Sequence, residues 1–544
     1  MSVVATRTPL PLILIRGFGG LGVEDEKKVP YQGFNDGTVY PRKRGPNYIY
    51  EGMILRFMKS DWQYQDATNV IGYYGKPVVE ASAIPPELEH FDEGFFYGSA
   101  QAGENVDSMY KIIVDPAMAL HLLRTTEDPL RTLWVFRYYD LDDRSFPFYG
   151  HALVRLIDFV RALAAEKRGG EKPKPTVNII AHSMGGLIVR EAIQRAYPER
   201  GDEAADHINK VVTLGTPHQG ISFNLLKEWI NIDAEDELKH FDPNFQKDPE
   251  EPTAFVQFGK HFPRERLLTV VGTNYRTYGN AASSTLNRLF SVSGEGGPSY
   301  NRSDGLVKQT FAQIPGCPRT FVHKCHGGPD SLVTARESFE IARRFFFGNV
   351  YARLNLIDAE IKRGFDRVGK SEIFFGVSIK PRRVDFDLFH QSAEAENTYG
   401  PFNTKDLSDA DPAFGWAGDG RLIWEGWLDT NAAKAEPSDD LVLRLDVYVG
   451  ERDSFGIGFS DNVIFHRQLY VRALLGDATR LELHADERFD DVDDASAGAS
   501  DMKQTESGWS FGVTDPAFDA TFGIELFRVP ESGDPIPLHQ PWVR

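Results

Sequence analysis

The chain is poor in cysteine, with two in 544 residues. That excludes a disulfide scaffold and a thiolate metal cluster. Cys317 and Cys325 are separated by Arg319–Lys324, which reads as extended chain. Roughly five extended residues carry two sulfurs beyond bridging distance, so free thiols are expected. Long apolar runs are also missing, and none reaches the length of a membrane-spanning helix. A signal peptide is not read either. Arg7 is the only basic residue near the start, and the apolar run Leu10–Ile15 passes straight into a glycine-rich loop. Cytoplasmic residence is the expectation, although a chain stripped of its leader would look identical. The third shortage is basic residues in one part of the chain. Residues 371–544 carry 15 Lys+Arg against 33 Asp+Glu, a net of -18 out of -19 for the whole. Phosphate binding needs clustered Lys and Arg, so a general nucleic-acid binder is excluded. Docking of that third on an anionic membrane is disfavoured for the same reason.

What remains is an ordinary globular balance, 41% hydrophobic and 26% charged. The length suggests two or three domains. Leu10–Ile15 reads as a buried parallel strand ending in a loop. Residues 24–110 follow as an irregular stretch rich in Gly, Tyr, Pro and charge, too long for a plain connection; small elements are expected in it, and it could wall a pocket. Strand and helix then alternate. Strands are expected near 132–138, 176–181, 210–214, 267–271 and 320–324. Helices are expected near 116–124, 150–167, 185–197 and 333–347. This rhythm predicts a mostly parallel sheet covered on both faces. A charged insertion at about 219–263 interrupts it. Residues 351–370 are expected to form a linker or an extension of the last helix. From 371 to the end, apolar and polar residues alternate over short runs such as Leu441–Val449. That pattern predicts an acidic all-β sandwich of seven to nine strands.

The chemistry centres on Ser183. An apolar strand runs into His182-Ser183-Met184-Gly185-Gly186 and on into a helix. Small residues two positions to either side, Ala181 and Gly185, permit a sharp turn that pushes the serine out over the sheet edge. The helix N-terminus favours developing negative charge, and the Met184 N–H would be one oxyanion donor. The bland alternative is a structural serine capping the helix. The loop Arg16-Gly17-Phe18-Gly19-Gly20 follows the first strand and could supply a second donor from the Phe18 N–H. It could equally be a tight turn that needs glycine. A nucleophilic serine requires a base and an acid. His326 follows a strand and precedes Gly327-Gly328, where an imidazole can reach the serine. His323 sits inside that strand. His182 is adjacent to the nucleophile and is read as structural. His218, after Gly215-Thr216-Pro217, is read as lining or supporting the pocket. Asp304, in a polar loop 22 residues before His326, is the favoured acid over a simple Asx turn. Asp330 is the runner-up but looks like a helix cap.

Four segments together resemble a known family. LILIRGFGG (12–20) is similar to an oxyanion loop, and NIIAHSMGGLIVR (178–190) to a nucleophile elbow. KVVTLGTPHQG (210–220) is similar to the strand and loop that follow in lipases. SDGLV (303–307) with His326 resembles the acid and base region. The chain thus resembles the α/β-hydrolases, more narrowly their lipase and esterase branch, over about residues 8–350. The order Ser183, Asp304, His326 is the order of that family. Arg16 stands where the family usually has histidine, and an exposed guanidinium there could favour a substrate carboxylate. The resemblance implies a cofactor-free carboxylic ester hydrolase acting on small-molecule or lipid esters, with no metal. It places a lid at about 219–263, carrying Phe223, Leu225, Leu226, Trp229 and Ile230; an insertion with its own small core is the alternative. An acyltransferase or amidase could share every catalytic residue. A non-catalytic lipid- or ligand-binding homologue would instead show a misaligned Ser183–His326 pair. The acidic module has three readings: a stabilising or homo-oligomerising appendage, a binding module, or a calcium site through Asp-rich loops. Asp490–Asp494 lacks the EF-hand pattern.

Overall fold

The computed structural model describes residues 7–17, 50–67, 84–91, 95–96, 114–136, 138, 145–170, 173–219, 257–274, 303–328, 330–362, 371–381, 389–390, 399–402, 422–430, 440–453, 462–475, 479–484, 499–530 and 534–539. Among the described residues, seven strands form the first sheet: β1 (Leu12–Ile15), β2 (Gln65–Asp66), β3 (Thr132–Phe136), β4 (Val177–His182), β5 (Ile208–Leu214), β6 (Leu267–Gly272) and β7 (Arg319–Val322). Their order is β2-β3-β1-β4-β5-β6-β7. Every pairing is parallel. β1, β3, β4 and β6 are buried along their whole length. Continuous apolar strands of this kind need helices on both faces. One face packs against the helix Phe146–Lys167 and the helix Met184–Glu191, which continues as a π-helical turn over Ala192–Ala196. The opposite face packs against Glu51–Lys59 and Arg336–Phe347. The fold is that of an α/β-hydrolase, as expected.

Local signals explain the helix starts. The Ser145 hydroxyl accepts the Phe148 N–H, and the Asp115 carboxylate accepts the N–H groups of Ala117 and Met118. Each satisfies a donor that a helix N-terminus leaves open. The stretch 24–110 contains small elements, as its length implies. It holds the helix Glu51–Lys59 and the edge strand β2.

Val350–Ile361 corrects the expected linker, since it is a twelve-residue strand. Val350, Ala352, Leu354 and Leu356 face inward at period two while the residues between them are less buried. That periodicity belongs to a half-buried strand. It pairs antiparallel with Leu422–Leu428 and Phe518–Arg528. A second sheet centres on Ser371–Pro381, Leu441–Asp453 and Asn462–Leu474, again antiparallel. The two sheets enclose one apolar cluster and form a sandwich. Among the described residues they count seven and six strands, against the seven to nine expected; the strand Val350–Ile361 and two-residue pieces such as Lys503–Gln504, too short to leave a pattern in the sequence, make up the excess.

The sandwich is packed directly onto the parallel sheet. Val271, Val307, Ala312 and Phe321 of the α/β part belong to the sandwich's own apolar cluster. The buried Glu425 carboxylate accepts the Arg319 N–H of β7 at 3.0 Å and also the Tyr351 hydroxyl. The Trp427 and Phe345 rings meet edge to face with centroids 4.6 Å apart. Both thiols are free, with Cys317 buried and Cys325 half-buried.

Candidate active site

β4 ends at His182, and the next helix begins at Met184. Between them Ser183 has φ 52° and ψ -127°. Gln63 is the only other non-glycine at positive φ among the described residues. Such a backbone costs on the order of 1–3 kcal/mol and persists only where its surroundings hold it. Here the Ser183 N–H bonds the Leu214 carbonyl at 2.9 Å, and the Ser183 carbonyl accepts the Gly186 N–H at 3.0 Å. The turn also needs space. A Cβ on Gly185 would lie 2.7 Å from the Arg16 carbonyl oxygen. A Cβ on Gly17 would lie 2.6 Å from the Ser183 Cβ.

Three distant segments meet at this turn. His326 Nε2 lies 2.8 Å from Ser183 Oγ. His326 Nδ1 lies 2.8 Å from Asp304 Oδ2. The other carboxylate oxygen, Oδ1, accepts the N–H groups of Leu306 and Val307 at 3.0 and 2.7 Å. The His326 N–H returns to the Asp304 carbonyl at 2.8 Å. Gly215, at φ +56°, lets this pair approach; a Cβ there would fall 2.8 Å from Asp304 Oδ2. Ser183, Asp304 and His326 are 9%, 1% and 5% exposed. The geometry is that of a serine-hydrolase triad. A carboxylate only accepts, so Nδ1 carries the ring proton and Nε2 is free to accept the serine proton.

The rejected alternatives lie elsewhere. His323 Nδ1 is 3.2 Å from Thr273 Oγ1. Asp330 is exposed and accepts the Lys324 ammonium at 2.6 Å. Met184 opens the helix, so its N–H stands at the positive end of the helix dipole beside Ser183. Phe18 lies outside the described residues, as do most of the expected lid and Asp490–Asp494. Arg16 corrects one expectation. It is 2% exposed, with Nε donating to the Gly17 carbonyl at 3.3 Å, so it does not offer an exposed guanidinium to substrate.

His218 is fully buried, with Nε2 3.0 Å from Thr213 Oγ1 and its carbonyl accepting from Arg190 at 2.6 Å. The neighbouring Gln219 amide donates to the carbonyls of Thr310 and Gln313. This loop therefore braces the segment that follows the acid, which is a supporting role. His182 is also buried and structural. Its Nε2 lies 2.9 Å from the His326 carbonyl, and its Nδ1 lies 2.6 Å from the Tyr50 hydroxyl. Burial holds its pKa well below 6.5, and the neighbouring His326 acts in the same direction. His182 is thus the neutral imidazole. Tyr50 is the residue that sequence reasoning missed. It lies 132 positions from His182, in a stretch without a motif, and nothing local marks it. Among the described residues no group of three or more His, Cys, Asp or Glu side chains is arranged to hold a metal. No described helix is long and apolar enough to cross a membrane.

Comparison with known proteins finds one family model and several solved structures similar to parts of the chain. The family described as PGAP1-like alpha/beta domain matches residues 97–248, which include the nucleophile turn. No curated protein matches significantly. Among solved structures, the chain is similar to the Bacillus licheniformis lipase BlEst2 in its propeptide form. The identity is 12%, with 63% of this chain and 87% of that chain covered, at a TM-score of 0.28. The product of the gene lin2722 of Listeria innocua is 14% identical, with 62% and 94% covered and a TM-score of 0.30. The phospholipase PlaB of Legionella pneumophila in complex with thio-NAD is 13% identical, with 61% and 83% covered and a TM-score of 0.25.

Proposed function

We propose that the protein hydrolyses carboxylic esters through an acyl-enzyme on Ser183. His326 Nε2 takes the Ser183 proton as Oγ attacks the ester carbonyl. Asp304 holds the imidazole in the productive tautomer and stabilises its protonated form. The Met184 N–H, with the Phe18 N–H as the proposed second donor, stabilises the tetrahedral oxyanion. His326 then protonates the leaving alcohol, and water repeats the cycle on the acyl-enzyme. The carrying observation is the unbroken line from Ser183 Oγ through His326 to Asp304, with both contacts at 2.8 Å. A non-catalytic homologue has no need of such alignment, nor of the strained backbone at Ser183. The substrate class proposed is a small-molecule or lipid ester.

Hydrolysis of a series of p-nitrophenyl esters tests this reading. Turnover that disappears in Ser183→Ala, with the melting temperature kept, is the expected result. No turnover of any chain length by the wild type, and no reaction of Ser183 with a fluorophosphonate, would overturn it. Adding an alcohol acceptor and identifying products separates hydrolysis from acyl transfer.

A further inference from the structure

Hydrogen bonds run beneath Ser183 in one continuous string, and each donor in it is determined by elimination. The Gly17 N–H can only donate, and its acceptor is the Tyr50 hydroxyl oxygen at 2.9 Å. The His326 carbonyl can only accept, so His182 Nε2 carries the proton directed at it. A neutral imidazole then has a lone pair at Nδ1, which accepts the Tyr50 O–H at 2.6 Å. The string reads Gly17 N–H to Tyr50, Tyr50 O–H to His182, and His182 N–H to the peptide of His326. Donors all point the same way, so the bonds polarise one another. Its two ends are the loop seated against the Ser183 Cβ and the backbone of the base. The His182 and His326 rings also pack with centroids 4.9 Å apart.

We infer that Tyr50 and His182 are positioning residues for the reaction proposed above: through this string they lock the loop at Gly17 and the His326 peptide in register with Ser183. The inference rests on the serine-hydrolase reading and adds to it a role for a tyrosine outside every recognised motif. Neither side chain exchanges a proton with substrate. Their effect is on the geometry of the groups that do.

Tyr50→Phe is the test, because it keeps the ring and removes only the hydroxyl. Tyr64→Phe is the matched control: Tyr64 is 3% exposed and its hydroxyl donates to the Leu10 carbonyl at 2.8 Å, away from the triad. Three readouts are compared: steady-state ester hydrolysis, the rate of fluorophosphonate labelling at Ser183, and the downfield proton resonance of the His326–Asp304 hydrogen bond. That resonance is identified by its loss in Asp304→Ala. Tyr50→Phe should lower kcat and the labelling rate about tenfold or more with KM nearly constant, since small misplacements of reacting groups are costly. It should also shift the resonance, and Tyr64→Phe should do neither. His182→Gln retains a donor but loses the Nδ1 acceptor. It should match Tyr50→Phe, and the double variant should be no slower than the slower single variant, because one cut already breaks the string. Unchanged kcat, labelling and resonance in Tyr50→Phe overturn the inference, as do strictly additive losses. If the wild type is neither active nor labelled, the hydrolase reading fails. The resonance then decides alone: a shift in Tyr50→Phe but not in Tyr64→Phe supports the string, and no shift refutes it.

Discussion

Replacing Asp304 by Asn should slow turnover by about 10⁴-fold without unfolding the protein. The reasoning starts from the asymmetry of the two carboxylate oxygens. Oδ1 accepts two backbone N–H groups, from Leu306 and Val307, whereas Oδ2 faces the single Nδ1 of His326. An asparagine has one acceptor oxygen and one donor NH2 group. Turning the NH2 toward Leu306 and Val307 would oppose donor to donor twice and leave two N–H groups unsatisfied, at about 1–3 kcal/mol each. The amide oxygen therefore keeps the Oδ1 position and the NH2 faces His326. Nδ1 must then accept, which moves the ring proton to Nε2. A protonated Nε2 cannot take the proton of Ser183. The chemistry is blocked by the tautomer while the backbone contacts remain. A 10⁴-fold loss corresponds to about 5.5 kcal/mol of transition-state stabilisation. The assay is kcat and KM on the best p-nitrophenyl ester, with thermal melts alongside. The expected pattern is a fall in kcat, a KM close to wild type and a nearly constant melting temperature. Asp304→Asn activity within about tenfold of wild type would refute the tautomer argument and remove Asp304 from the working triad.

Two further outcomes follow from close contacts and burial. Gly17→Ala should reduce kcat/KM about a hundredfold: its Cβ would sit 2.6 Å from the Ser183 Cβ, so the loop must retreat by about 1 Å to reach ordinary carbon contact. Unchanged ester hydrolysis by that variant would mean the loop is not part of the site. At the domain junction, burial raises the Glu425 carboxyl above its ordinary 4.5, opposed in part by the charge of Arg319 and the hydrogen bond from Tyr351. A carboxyl raised in the folded state contributes stability that is complete below its unfolded pKa and is lost as pH rises through the folded value. Glu425→Gln should therefore melt higher than wild type near neutral pH, and the gain should vanish on acidification through the ordinary carboxyl range. Glu425→Ala should melt below Glu425→Gln at every pH, by about 1–3 kcal/mol, because it removes the acceptor of the Arg319 N–H. Melts across pH that rank Ala above Gln would contradict this.

Local patterns were sufficient for much of the site. β4, the turn at Ser183 and the helix behind it are contiguous, so periodicity and small residues expose them. Asp304 and His326 were legible from loop position and from the order shared with a known family. Tyr50 was not, because a side chain selected only by a contact 132 residues away leaves no mark on its neighbours. The strand Val350–Ile361 reads in the sequence as a linker or an extension of the last helix because it adjoins that helix, although its alternation is visible once the sandwich is known. The burial of Arg16 is equally invisible in the sequence, since local sequence does not reveal what covers a side chain.

The two-part architecture, the proposed nucleophile with its base and acid, and the concentration of negative charge in the last third are all legible in the sequence. Those features are written in short-range spacing and composition. How that acidic third relates to the proposed site is visible only in three dimensions. It carries none of the triad, yet Val307 and Ala312 beyond Asp304, and Phe321 before His326, lie in the sandwich's apolar cluster. Its core is continuous with the segments that bear the proposed acid and base. Packing between distant segments has no sequence period, and that is why it had to be seen in three dimensions.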